Sequence, residues 1–182
     1  MMNKALTALQ NKQTILYPTD TVWGIGGDAL APEVVQNIYT LKQRVDHKAL
    51  IVLVKDMNML KEYVQEIPEV AFKFLEEERP TTLIYPKCIH LASNLIGSDG
   101  SVGIRIPRHA FCQELLAAFG KPIISTSANM SGCETPKNFN SIDSKILEGV
   151  DYVVPLQKET NSNQPSRVIK IDVDGNVQIL RA

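Results

Sequence analysis

Three basic residues lie within seven positions of one another and could together bind a polyanion. Lys42, Arg44 and Lys48 occupy the junction between a predicted helix and a predicted buried strand. Arginine offers a planar fork that matches phosphate oxygens, and lysine offers a mobile point charge, so the set suits a triphosphate. The other interpretation is that Lys42 and Arg44 complement the helix dipole and increase solubility.

Hydroxyl and amide side chains crowd a second segment, at the end of another predicted strand. They are Ser125, Thr126, Ser127, Asn129 and Ser131, with Gly132 behind them. Such side chains either stabilise caps and turns through the local backbone or contact the ribose and phosphates of a nucleotide. No G-x-S-x-G elbow accompanies the serines and no histidine is placed to activate one, which argues against a nucleophilic hydrolase.

A third candidate segment runs from an apolar strand through Pro18 into polar side chains and glycines. The polar residues are Thr19, Asp20 and Thr21, and the glycines are Gly24, Gly26 and Gly27. We expect a loop in which the missing Cβ atoms let a ligand approach the backbone. An ordinary strand, turn and glycine-rich loop is the competing interpretation.

The strand pattern over residues 102–106 places Arg105 on the face opposite the core. Val102, Ile104 and Ile106 alternate with Gly103 and Arg105. Because successive side chains of a strand face opposite sides, the aliphatic groups face the core and the guanidinium faces the other side. A guanidinium placed there can bind a carboxylate.

Established metal and nucleotide motifs are missing. Cys88-x-His90 and His109-x-x-Cys112 supply four candidate zinc ligands, but their spacings do not match the usual knuckles, and we expect no metal site made by the protein itself. The Walker loop and the G-x-G-x-x-G fingerprint do not occur. A nucleotide would therefore be held in an unusual cradle.

Composition limits the class of protein. With 182 residues and 44% apolar content, the chain is expected to form one domain over residues 1–182. A net charge of -1 argues against an indiscriminate nucleic-acid binder, so any RNA contact must come from a local patch. Three dispersed cysteines and the lack of a signal peptide or membrane span predict a cytoplasmic protein.

The elements that must position these residues are helices mixed with strands. Strands are predicted over residues 15–17, 49–54, 82–85, 102–106, 122–126, 152–154, 168–173 and 177–180. Helical spacing occurs over residues 34–45, 60–64, 70–75, 111–119 and 142–146, and Asp174-Gly175 is a strong hairpin signal. Since strict β-α-β alternation is missing, we expect an α/β domain with a mixed, twisted sheet and not a Rossmann fold.

Five segments occur in an order that spans nearly the whole chain. They are residues 17–29 (YPTDTVWGIGGDA), 41–44 (LKQR) with Lys48, 103–107 (GIRIP), 125–132 (STSANMSG) and 165–166 (PS). In this order and spacing the chain resembles the YrdC-like threonylcarbamoyl-AMP synthases of the short, single-domain TsaC type. The resemblance implies a twisted mixed α/β sheet with flanking helices around a basic concave cavity.

The resemblance also implies a reaction and its partners. ATP, L-threonine and bicarbonate or CO2 would give L-threonylcarbamoyl-adenylate and pyrophosphate, with Mg²⁺ bridging the phosphates. The adenylate would pass to the machinery that makes threonylcarbamoyladenosine in tRNA, and a direct tRNA contact is left open. Catalysis would come mostly from positioning and charge stabilisation, without an enzyme nucleophile.

Site residues are implied at the positions that match the family motifs. Those for ATP are Lys42, Arg44, Lys48, Ser101, Ser127, Asn129 and Arg181, with Lys42 and Arg44 also taking the catalytic role. Those for threonine are Thr21, Arg105, Ser125, Ser127 and Ser166. The sequence departs from the family pattern at Val45, Ala49, Leu53, residues 78–80 and Arg167, which predicts a less rigid clamp loop and a different grip on threonine.

Two other functions fit the same residues. An RNA-binding module could hold a tRNA or double-stranded RNA backbone with the same basic side chains. An orphan nucleotide-binding paralogue could bind ATP without selecting threonine.

Overall fold

One mixed β-sheet runs through the computed structural model, which describes residues 1–44, 50–162 and 164–182. Its strands are β1 (Ile15–Tyr17), β2 (Gly24–Gly26), β3 (Ile51–Leu53), β4 (Thr81–Tyr85), β5 (Val102–Arg105), β6 (Ile123–Ser127), β7 (Tyr152–Val153), β8 (Arg167–Ile171) and β9 (Val177–Arg181). The helices are α1 (Met2–Gln10), α2 (Pro32–Leu41), α3 (Met57–Tyr63), α4 (Val70–Glu76), α5 (Ala110–Phe119) and α6 (Ser144–Gly149), with a short 3-10 turn at Phe139–Ser141.

The strands do not follow one another in the sheet. Their order is β7-β1-β2-β6-β3-β5-β4-β8-β9. The pairs β1 with β7, β3 with β5 and β4 with β8 are parallel, and the remaining neighbours are antiparallel. The expected mixed α/β sheet is therefore confirmed.

Two apolar clusters cover opposite faces of the sheet. On β1, Leu16 belongs to the larger cluster with α2, α3 and α6, whereas Ile15 and Tyr17 belong to the smaller cluster with α1 and α5. This split follows from the two-residue period of a strand, which sends alternate side chains to opposite faces. Each face is thus closed by its own set of helices.

The smaller cluster covers only part of its face. On β6, Ile123 packs against α5, and the same face continues with Ser125 and Ser127. On β5, Ile104 joins the larger cluster, which leaves Arg105 on the same face as those serines, as its alternation predicts. Polar side chains therefore occupy the part of this sheet face that α1 and α5 do not cover.

The helix before the basic residues ends earlier than its spacing suggested. Helix α2 begins at Pro32 and ends at Leu41, with Lys42 as its C-cap. The predicted extension to Val45, and the predicted start of a strand at Ala49, lie outside the described residues. Among the helices that the structure describes, none is long and apolar enough to cross a bilayer, the longest having ten residues.

The glycine-rich loop expected after Thr21 is instead a buried strand, β2. A Cβ at Gly26 would lie 2.5 Å from the Ile124 carbonyl oxygen and 2.7 Å from Cε1 of Tyr17. A Cβ at Gly27 would collide with Cγ1 of Val34. These two glycines are required by close packing inside the protein, and of the three glycines in this segment Gly24 is the one among the described lining residues of the cavity below.

Two other elements differ from the sequence prediction. Helix α1 was not predicted, although Ala5, Ala8 and Leu9 form its buried stripe against α5. The predicted strand over residues 168–173 stops at Ile171, because the Asp172 carboxylate accepts hydrogen bonds from the backbone of Asp174 and Asn176. The hairpin between β8 and β9 is therefore closed by a five-residue loop.

The close contacts at Gly26 predict that adding a side chain there strongly lowers the stability of the protein. Gly26→Ala should lower the free energy of unfolding by about 2–3 kcal/mol, because the backbone carbonyl of Ile124 cannot move away. Gly149→Ala is the matched control, since its Cβ meets only the end of the Leu41 side chain, and should change stability by less than about 1 kcal/mol. Urea unfolding measures both, and equal losses would contradict the packing argument.

Candidate active site

A cavity of about 280 Å³ opens on the sheet face that α1 and α5 leave uncovered. Nine of the residues proposed from the sequence border it: Thr21, Lys42, Arg44, Arg105, Ser125, Ser127, Asn129, Ser166 and Arg181. They come from segments that are up to 160 residues apart in the chain. The fold therefore brings the basic, hydroxyl and guanidinium groups of the sequence motifs to one place.

The cavity wall is cationic. Its described lining includes Lys42, Arg44, Arg105 and Arg181, and no carboxylate appears among those lining residues. Several positive charges in a concave, partly desolvated site focus the potential and favour a multiply charged anion.

Lys42 fixes the loop after β6 to the end of α2. Its Nζ donates hydrogen bonds to the backbone carbonyl oxygens of Ser127 and Asn129, the latter at 2.6 Å. The Lys42 carbonyl accepts a hydrogen bond from the backbone N–H of Ser131 at 3.1 Å. Burial, and secondly the charge of Arg44, lowers the pKa of Lys42 to about 8. This lysine is therefore both a structural tie and a cation that can lose its proton.

Arg105 is 3% exposed and is held by the segment that follows β1. Its Nη1 donates to Oδ1 of Asp20 at 2.6 Å, and its Nη2 donates to Oγ1 of Thr21 at 3.3 Å. Asp20 also accepts a hydrogen bond from the backbone N–H of Arg108 at 3.1 Å. Arg105 Nε is buried and has no hydrogen-bond partner within the described part of the chain. The guanidinium thus keeps donor capacity at the cavity wall.

The C-terminal strands close the other side of the cavity. The hydroxyls of Ser166 and Thr82 lie 2.8 Å apart and share a hydrogen bond. Arg181 Nε donates to the Ser166 carbonyl at 2.9 Å. Burial, and then the nearby charge of Arg105, lowers the pKa of Arg181. The two guanidiniums therefore face the same space.

Asn129 is oriented by its own loop. Its Nδ2 donates to the carbonyl oxygens of Met130 and Cys133 at 3.0 and 2.8 Å. Because both amide hydrogens are used in this way, Oδ1 is the free end, and it is buried without a hydrogen-bond partner among the residues described. The amide can accept a hydrogen bond from a ligand.

Two proposed residues are not placed at the cavity. Lys48 lies outside the described residues. Ser101 is not among the described lining residues, and its hydroxyl donates to Oδ1 of Asp99 at 2.6 Å. Asp99 in turn accepts from Lys170 at 2.8 Å, and these two contacts lower the pKa of Asp99 to about 2. The Ser101 side chain is therefore already engaged in a surface cluster.

Two lining residues of the cavity and the ion pair of Asp20 with Arg105 were not predicted from the sequence. Ile51 and Thr135 border the cavity, but a strand aliphatic and a loop threonine gave no signal. Asp20 was recognised as polar, yet its pairing with Arg105 depends on two segments 85 residues apart. Only the fold brings those segments together.

Comparison with known proteins places the chain in a family. The Sua5/YciO/YrdC family model, which carries the description telomere recombination, matches residues 7–182. The chain belongs to the Sua5/YciO/YrdC family. A curated relative, the threonylcarbamoyl-AMP synthase of Pseudoalteromonas translucida, is 33% identical over 179 residues, which cover 95% of this chain and 94% of the relative.

Solved Sua5 structures share the fold. A variant of P. abyssi Sua5 superposes with a TM-score of 0.89 at 25% identity, over 99% of this chain and 55% of that one. P. abyssi Sua5 complexed with L-threonine gives a TM-score of 0.82 at 24% identity, over 93% of this chain and 50% of that one. The chain therefore spans about half the length of these Sua5 chains.

Two departures from the Sua5/YciO/YrdC pattern, Arg167 and Leu53, lie outside the described lining of the cavity. Arg167 Nη2 donates to Oε2 of Glu77 at 2.5 Å and to the Thr81 hydroxyl at 3.0 Å, and the guanidinium lies 5.3 Å from the Phe74 ring centroid. It is not among the described lining residues. Leu53 is buried in the α1 and α5 cluster. Neither side chain occupies the cavity.

Within residues 1–44, 50–162 and 164–182, no group of three or more His, Cys, Asp or Glu side chains is arranged to hold a metal ion. The thiols of Cys88 and Cys112 are buried, and burial raises the pKa of each, to about 11 and about 12. These cysteines are packed as apolar groups.

The lowered pKa of Lys42 predicts a pH-dependent charge in the cavity. As the pH rises through about 8, Lys42 should lose its proton, so that the affinity for anions falls. Lysine-selective ¹³Cε NMR should show one resonance with a midpoint near 8, absent in Lys42→Arg, and sulfate should move that midpoint upward. Titration of this resonance at the ordinary lysine value would contradict the assignment.

Proposed function

We propose that the chain makes L-threonylcarbamoyl-adenylate from L-threonine, bicarbonate or CO2, and ATP, and releases pyrophosphate. The observation that carries this proposal is the single cavity in which four cations meet a row of hydroxyls. Relatives of similar length in this family are named threonylcarbamoyl-AMP synthase. In this proposal residues 1–182 act as one domain in the cytoplasm, and the adenylate passes to the tRNA-modifying machinery.

The triphosphate is assigned to the side of the cavity bordered by Lys42 and Arg44, and Arg181, which donates to Ser166, contacts it from the Arg105 side. Ser127 and Asn129 lie beside it, and the free Oδ1 of Asn129 accepts from the nucleoside. Lys48 is kept as a further phosphate contact from its match to the family motif, whereas Ser101 is left out because Asp99 already holds it.

Magnesium fits this site as part of the substrate. The described lining offers cations, hydroxyls and an amide but no carboxylate, so the residues present suit Mg²⁺ that is coordinated by the phosphates and water. When bound, it supplies charge neutralisation between phosphate groups. The protein's own contribution is the surrounding cationic wall.

L-Threonine is assigned to the Arg105 side. The guanidinium donates to the substrate carboxylate, and the hydroxyls of Thr21, Ser125 and Ser166 surround the same space. Thr21 and Ser166 are themselves fixed by hydrogen bonds, to Arg105 and to Thr82. Pre-oriented groups of this kind position the amine of the substrate without further ordering cost.

The reaction needs no enzyme nucleophile. The threonine amine adds to CO2 and loses a proton, giving a carbamate. A carbamate oxygen then attacks the α-phosphorus, and the bond to the β-phosphate breaks to release pyrophosphate. Lys42, Arg44 and Arg181 stabilise the charge that develops on the phosphates. No residue is assigned as a general base.

The RNA-binding alternative is not favoured. The net charge is -1, and the relatives are named as synthases. Phosphate-backbone binding would also leave the buried Arg105 without a role.

A pyrophosphate assay tests the activity directly. Pure protein with ATP, Mg²⁺, bicarbonate and L-threonine should release pyrophosphate, and leaving out threonine or bicarbonate should abolish the release. Release without threonine would favour the orphan paralogue, and no release at all would favour a binding module.

The assigned role of Arg105 predicts a substrate-specific defect. Arg105→Lys keeps a charge beside Asp20 but loses the fork, so the KM for threonine should rise roughly 10- to 100-fold. The KM for ATP should change little, because the phosphates are assigned mainly to Lys42 and Arg44. Arg167→Lys is the matched control outside the cavity and should leave both constants near wild type. Equal effects on the two substrates would contradict the assignment.

A further inference from the structure

Asp20 forms an ion pair with Arg105, one of the cations that border the cavity. It contacts Arg105 Nη1 at 2.6 Å, and its side chain is 10% exposed. The other oxygen accepts the backbone N–H of Arg108, so the carboxylate is fixed from two sides. A largely covered carboxylate that is held from two sides presents a fixed negative charge to its partner.

Asp20 lies outside the described lining of the cavity in which the substrates are proposed to bind. It borders two smaller hollows beside that cavity. The carboxylate therefore reaches Arg105 from outside the cavity. Arg105 itself borders the cavity, with Nε unused by the described protein atoms. Nη1 of Arg105 donates to Asp20, whereas Nε remains as a donor for a ligand.

This pairing sets Arg105 apart from Lys42 and Arg181. Lys42 and Arg181 donate to uncharged oxygens, namely backbone carbonyls and the Ser166 hydroxyl, so no carboxylate offsets their charge in these contacts. Arg105 donates to a carboxylate, which offsets its charge. The cavity thus contains a guanidinium whose charge is offset but which still has a donor to spare.

We infer that Asp20 is a positioning and specificity-determining residue that reserves Arg105 for the carboxylate of an amino acid and keeps phosphate groups away from it. A neutralised guanidinium still offers directed hydrogen bonds to a monoanionic carboxylate. A phosphate, with its greater charge, is repelled by the carboxylate behind the guanidinium. An amino acid is a zwitterion, so its ammonium group gains from the same negative charge.

This pairing bears on a physical problem of the site. Two substrates compete for cations in a small cavity, and the triphosphate has by far the larger charge. Without Asp20, Arg105 would be a full cation near Arg181, to which a phosphate group or pyrophosphate could bind, and the amino acid would be displaced. The negative charge selects against the wrong occupant, which attractive contacts to the right one cannot do alone.

Asp20 has this role only if the chain uses threonine as proposed, and Asp20→Asn tests it. The amide keeps the shape and one acceptor but removes the charge. The KM for threonine should rise about tenfold while the KM for ATP stays within about twofold. Inorganic phosphate and pyrophosphate should become competitive with threonine, which they should not be in the wild type.

Two variants keep the result interpretable. Glu77→Gln removes the carboxylate of another arginine pair, with Arg167 outside the cavity, and should leave phosphate inhibition as in the wild type. Asp20→Glu keeps the charge but displaces the carboxylate, so the KM for threonine should rise without new competition by phosphate. Phosphate competition in Asp20→Glu would overturn the inference, and this variant decides if Asp20→Asn does not fold.

Thermal unfolding supplies a readout that does not require turnover. Phosphate should raise the midpoint of Asp20→Asn more than that of the wild type, and threonine should raise it less. If the wild type neither turns over nor is stabilised by threonine, the proposed function fails. If the wild type responds to threonine but Asp20→Asn behaves identically, with no new phosphate effect, only the role of Asp20 is overturned.

Discussion

Four cationic side chains share one small cavity, and the fold has to offset their mutual repulsion and the loss of water around them. It does so differently for Lys42 and for Arg105. Lys42 donates to two backbone carbonyls and still has a lowered pKa, whereas Arg105 is balanced by the carboxylate of Asp20. Binding of an anion would offset the repulsion between these cations that their protein partners leave. A preorganised positive site of this kind is what phosphate chemistry requires.

The sheet makes this arrangement possible because one of its faces is only partly covered. On β6, Ile123 is buried under α5, while Ser125 and Ser127 on the same face reach the cavity. On β5, Arg105 emerges beside them from a strand whose other side chains are core. The strands therefore contribute both to the core and to the floor of the cavity, and the rigidity of the core fixes the positions of the side chains that border it.

Much of the fold was predictable from local patterns. Apolar periodicity together with a terminating residue correctly predicted the strand at residues 15–17 and the helix α5. That helix ends before Gly120, whose φ is 69°. Strand β2 was missed, because Gly24–Gly26 has almost no side chains and its stability comes from neighbours on both sides. Helix α1 was missed because its short apolar stripe is meaningful only against α5.

For the site, the sequence by itself determined which chemical groups are available and that they fall at strand and helix ends. It also fixed the direction of Arg105, since alternation along a strand is a property of the backbone. Only the tertiary structure decided that Arg105 is paired with Asp20, that Ser101 is engaged by Asp99 and that Arg167 is engaged by Glu77. The physical reason is that such contacts join segments far apart in the chain, and local sequence patterns carry no information about distances between segments.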